Sequence, residues 1–105
     1  MSERPLLDTL AEMTAASLEH ADLGDRELML VRLAGLVAVG APPSSYLLNL
    51  GPAADSGLTL EDAQSVLIAL APITGGPKTL AAAGAILEAL GFAIAAIEDP
   101  EADVE

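Results

Sequence analysis

Hydroxyls and an amide come together at one place along this chain, at Ser44, Ser45, Tyr46 and Asn49. Ser45 and Asn49 are four residues apart, so on a helix they share a face and, with Tyr46, can orient a ligand through hydrogen bonds. The same serines can equally cap a helix, and that alternative stands beside the first. A second candidate is Gly75-Gly76-Pro77-Lys78-Thr79. There the free N–H groups and positive end of a helix, with Lys78 and Thr79 beside them, could bind a carboxylate. Its spacing is not that of a P-loop, and a plain chain reversal accounts for Gly-Gly-Pro as well. Arg32 is a guanidinium in an otherwise apolar stretch. If buried it needs a carboxylate such as Glu27, Glu61 or Glu88, or an anionic ligand. Arg26 and Glu27 read as solvated charges.

Other chemistries lack their residues. The chain has no cysteine, which removes disulfides, thiolate nucleophiles and thiolate metal sites. Its single histidine, His20, falls at a helix end and leaves little for a nitrogen-based metal site, so no metal and no cofactor are expected. A serine nucleophile needs a base beside it, and His20 is a helix away from Ser44 and Ser45 in sequence.

The elements that must position these groups read as helices, with no strand. Pro5 suits a first turn, and Leu6, Leu7, Leu10, Met13 and Leu18 recur at helical spacing while Asp8, Glu12 and Glu19 face away, giving an N-terminal helix within residues 1–22. Asp25 is placed to cap a second helix, apolar on nearly every face from Leu28 to Val39 and therefore central. Pro42 and Pro43 break it, and a third helix runs from about Ser45 to Ser56 with a kink expected near Gly51 and Pro52. Thr59 and Asp62 resemble a capping box opening a fourth helix at Leu60, which buries Ala63, Val66, Leu67 and Leu70 and finishes near Ile73. The fifth begins at Pro77 or Lys78 and extends to Ile97. Its alanines at 81, 85, 89 and 93 form a small-residue ridge that lets another backbone approach closely. The core is thus 25–97, followed by an acidic tail, 98–105, expected to fray.

Composition sets the class. Hydrophobic residues make up 52% of the 105, but only 2% are aromatic, which argues against disorder and against an all-β domain. Sixteen acidic against four basic residues give a net charge of −12, a poor match for nucleic acid. Leu80 to Ile97 carries one charge, Glu88, and approaches membrane-spanning length. It lacks a basic flank and an aromatic belt, so a buried helix and no membrane partner are expected. Acids and Pro5 near the start do not fit a secretory signal, so a cytoplasmic protein is expected. Two helices without a clear polar face exceed what a chain of this size buries alone, which predicts a homo-oligomer with helices 2 and 5 at the contacts.

Three segments, taken in order, carry a resemblance: Asp25-Arg26-Glu27-Leu28 before an apolar helix, Asn49 through Gly57-Leu58-Thr59-Leu60-Glu61-Asp62, and Gly75-Gly76-Pro77. Over roughly residues 25 to 92 the chain resembles the carboxymuconolactone decarboxylase family, which includes the AhpD-like alkylhydroperoxidases. The resemblance implies an all-α, five- to six-helix oligomeric bundle, a homotrimer or homohexamer, with a site near the start of helix 3 and a small carboxylate or lactone as ligand. It also implies a Cys-x-x-Cys and a histidine ahead of the Gly-x-Thr step. Those positions fall on Pro42, Ser45 and Asn49 here. Thiol peroxidase activity is therefore not expected. Lyase chemistry also loses its histidine, because an amide binds a carbonyl but moves no proton near neutral pH. Two readings follow. One is a diverged enzyme or binder, with Asn49, Ser45 and Tyr46 orienting the ligand and Arg32, Lys78 and Thr79 meeting its charge. The other is a non-enzymatic oligomeric helical module that has lost the site.

Overall fold

The computed structural model describes residues 4 to 98, with the side chains of 97 and 98 excepted. Five helices make up the described chain: α1 (Pro5–His20), α2 (Asp25–Val39), α3 (Pro43–Asp55), α4 (Leu60–Thr74) and α5 (Gly76–Glu98). No strand occurs among the described residues. Most of the tail expected at 98–105 lies outside them.

Local chemistry sets most of the boundaries. Pro5 and Pro43 occupy first turns, where a missing N–H leaves no internal bond unmade. Gly40 and Gly57 have φ of 70° and 83°, a region open to glycine. There they close α2 and α3 in the same way: Ala41 N–H donates to Leu36 O at 3.0 Å and Gly40 N–H to Val37 O at 3.2 Å, and Leu58 N–H donates to Ala53 O and Gly57 N–H to Ala54 O at 3.0 Å each. The Thr59 hydroxyl accepts from Asp62 N–H at 3.1 Å while the Asp62 carboxylate accepts from Thr59 N–H at 2.9 Å, the reciprocal box the sequence predicts.

Other capping expectations need correction. Gly24, not Asp25, is the N-cap of α2, and Asp25 is its first helical residue. Pro42 is the N-cap of α3, which puts Ser44 and Ser45 inside the first turn with no side-chain cap bond. Prolines favour that start, and the serines then follow within the helix. α3 also continues through Pro52 to Asp55.

The core is small and aliphatic. Val37, Tyr46, Ala82, Ile86 and Ala89 are buried together, with Leu33, Leu36, Leu50, Leu67, Leu70 and Leu90 packed around them. α5 packs on α3, α4 and α2, and α2 packs on α4 and α3, so α2 and α5 are the central helices. The alanine ridge divides: Ala89 is fully buried, Ala85 and Ala93 are half-buried and Ala81 is exposed. The expectation of a buried α5 holds for one side of the helix only. Gly76–Ala96 is long and apolar enough to cross a membrane, but only 17% of its most apolar window is buried, because it packs from one side. Leu80, Leu87 and Ile94 stay exposed on it. α4 has no fully buried residue, and Ala63, Val66, Leu67 and Leu70 are half-buried.

α1 packs against none of the other four helices, and all sixteen of its residues are exposed. Its projection gives a radius of gyration of 15.0 Å, against about 13 Å for a compact chain of this length.

Candidate functional site

Where α2, α3 and α5 diverge, small side chains leave space. Gly51, Ala53 and Ala54 on α3, Ala63 on α4 and Ala93 on α5 border a cavity of about 440 Å³. Its walls are aliphatic: Met29, Leu33 and Leu36 from α2, Leu50 from α3, and Ile86, Leu90 and Ile94 from α5. Leu58, Thr59 and Leu60, in the turn before and the first residue of α4, form part of its border. A space of this size with apolar walls and a few polar groups has the character of a small-molecule site.

Three polar residues line it. Asn49 is half-buried, and its Nδ2 donates to Ser45 O, one turn back, at 2.8 Å. That bond orients the amide and leaves its Oδ1 without a partner among the described residues. Tyr46 is 2% exposed, and its hydroxyl is buried with no hydrogen-bond partner among the described residues. Burial pushes the phenol above its ordinary pKa, so it stays a neutral donor. Thr59 is already engaged with Asp62.

The structure brings Tyr46 and Asn49 together on the cavity and leaves the other sequence candidates elsewhere. Ser45 contributes its carbonyl to Asn49 and does not line the space. Lys78 lies at the far end of α2, where its Nζ donates to Ala38 O at 2.9 Å. Thr79 donates to Gly75 O at 2.7 Å and meets the Thr74 hydroxyl at 2.8 Å, so it helps close the turn into α5. Arg32 is half-buried, and among the described residues it makes no ion pair, which corrects the expected bridge to Glu27, Glu61 or Glu88. No Asp, Glu, His, Lys or Arg is among the residues that line the cavity, whose polar members are Tyr46, Asn49 and Thr59. No cluster of three metal-binding side chains occurs among the described residues.

The ion pair forms at Arg26 instead, which the sequence reads as solvated. Arg26 Nη2 and Nη1 donate to Asp62 Oδ1 at 2.7 Å and Oδ2 at 3.0 Å, and Nη1 also reaches Gly57 O at 3.2 Å. This fork clamps the start of α2 to the α3–α4 turn at the cavity's rim. Thirty-six residues separate the partners, so no local spacing announces the pair. The Arg26 guanidinium and the Thr59 N–H hold the Asp62 carboxyl well below the usual carboxylate range. A lowered pKa stabilises the fold above the unfolded value of about 3.9 and loses that contribution as pH falls below it. Asp62→Asn is therefore expected to lower the Tm at pH 7. The gap to the parent closes as pH drops from 5 toward 2, which thermal melts across that range measure.

Comparison with known protein families, with curated proteins and with solved structures finds no match to this chain.

Proposed function

We propose that this chain is a diverged, thiol-free relative of the carboxymuconolactone decarboxylase family that holds a small, uncharged and mostly apolar molecule, a lactone rather than a carboxylate. The observation that carries this reading is the apolar cavity beside Asn49 and Tyr46, which runs along α3 from Tyr46 to Ala54, whereas the resemblance expects a site between helices near the start of that helix. The absence of any cation from the cavity's border favours the neutral ligand, since a buried carboxylate without a partner is costly. Asn49 and Tyr46 offer hydrogen bonds but no proton transfer near neutral pH, so the reading is binding, not redox or lyase turnover. A cytoplasmic setting belongs to the same proposal.

Tyr46 is the chain's only tyrosine and there is no tryptophan, so its fluorescence reports on the cavity directly. Titration with δ-decanolactone is expected to change that signal saturably, while decanoate gives a weaker response. Asn49→Ala is expected to weaken lactone binding about tenfold, the worth of one neutral hydrogen bond, with helix content unchanged. A flat titration, or equal affinity in Asn49→Ala, would overturn the reading.

A second reading, a self-associating helical module of trimeric or hexameric kind, is favoured by the uncovered apolar residues of α1 and α5. The two are compatible.

A further inference from the structure

We infer that α1 is an exchange arm: its apolar stripe docks across the mouth of the α2–α3–α5 cavity of a second copy of this chain, and the second copy's arm covers the first. The inference rests on the self-association proposed above and gives it a two-fold contact, a pairwise unit from which the hexamer, but not the trimer, can be built. It does not depend on which small molecule the cavity holds.

The arm has the make-up of a docking helix. At 3.6 residues per turn, Leu6, Leu7, Leu10, Met13 and Leu18 fall within an arc of roughly 140°. Asp8, Glu12 and Glu19 lie on the opposite side. The five apolar side chains are 47–70% exposed, and the helix touches no other helix of its own chain. The receiving surface is uncovered as well: Leu60 and Ile94 at the cavity's border are 62% and 51% exposed, and Gly51 and Ala54 beside them are exposed. Two matching apolar surfaces that do not meet within one chain can meet between two.

Position and area point to a second copy. Residues 21–24 join the arm to α2 beside the Arg26 clamp at the cavity's rim. A two-fold axis near that linker brings the two rims side by side, so that each arm can reach the partner's cavity and the contact closes on itself. A reciprocal exchange makes two helix-in-groove contacts instead of one, which brings the buried area toward the roughly 1,200–2,000 Å² of stable specific interfaces. A membrane surface suits the arm poorly. Residues 5–20 contain no Lys or Arg, whereas helices that lie on anionic lipid carry them on the polar face. Since both copies carry −12, added salt screens their repulsion and is expected to tighten the dimer.

The absence of cysteine makes a direct test clean. Met13→Cys and Ala54→Cys are made in separate full-length chains, mixed and oxidised, and sedimentation is run on the parent and on a Leu10→Asp, Met13→Asp double variant. The expected result is a mixed disulfide dimer, with the double variant associating at least a hundredfold more weakly at unchanged helix content. Glu12→Gln, on the outer face, leaves association unchanged. An oligomer that survives the double variant and gives no mixed disulfide would overturn the arm while leaving self-association standing through other faces such as α5. A disulfide that forms only when both cysteines are in one chain would show that the arm folds back on its own body. A monomeric parent would overturn both readings.

Discussion

Tyr46→Phe makes the unliganded protein more stable, by about 1–3 kcal/mol, the cost of leaving a buried hydroxyl unpaired. For a domain of this size each kcal/mol moves the Tm by roughly 4–8 °C, so circular dichroism melts read the gain directly. The direction is unusual for a core substitution, and it follows from one fact. The ring of Tyr46 is packed among Val37, Ile86 and Ala89, but its hydroxyl has no partner among the described residues. Phenylalanine keeps the packing and removes the orphan, as a swap of nearly equal volume should. The hydroxyl is sealed from water in the unliganded protein, so a ligand's acceptor reaches it only when the lining opens on binding. The same substitution is therefore expected to reduce stabilisation by δ-decanolactone while raising the starting Tm. A Tm that falls or stays level would mean that water already pairs the hydroxyl in solution, and the cavity would lose its best donor.

How far the sequence reveals this molecule depends on the range of the interaction. Helix limits are local, and Pro5, Pro42 with Pro43 and the Thr59–Asp62 box mark them within a turn or two. The all-α class follows from periodicity and from the scarcity of aromatic residues. Asn49 and Tyr46 stand out with Ser44 and Ser45 as polar residues in the first half of an apolar helix, and the structure brings Asn49 and Tyr46 to one cavity. The Arg26–Asp62 fork and the Lys78–Ala38 bond are not legible, since they join residues 36 and 40 apart that meet only when helices pack. The carboxylate partners offered for Arg32 do not form for the same reason: its need for a partner can be inferred, but the helix that faces it cannot. The detachment of α1 is hidden too, because an amphipathic stripe is the same pattern whether it covers its own core or another copy's. A sign of the cavity was present in the small residues at 51, 53, 54, 63 and 93, but helix-packing ridges have that composition as well.

Leucine placed at three of the α5 alanines separates these environments with one chemical change. Ala89 has no exposed surface and sits in the core with Val37 and Tyr46. Ala89→Leu must force α5 away from the body, at a cost of about 3 kcal/mol, the upper end for overpacking, seen as a Tm loss of more than about 10 °C. Ala93, four residues on, borders the cavity. Its added carbons enter empty space, so Ala93→Leu is expected to raise the Tm by the equivalent of about 1 kcal/mol, as cavity filling does, and to abolish the lactone response. Ala81, two turns before Ala89, is exposed, and Ala81→Leu should lie within about 0.5 kcal/mol of the parent, as surface changes do. The pattern of loss, gain and indifference follows from the packing side of α5 and the position of the cavity. A uniform loss at all three sites would mean that the ridge is buried along its whole length and that the cavity closes in solution. A uniform tolerance would mean that α5 is not held against α3 as described, and Asn49 and Tyr46 would then border no enclosed site.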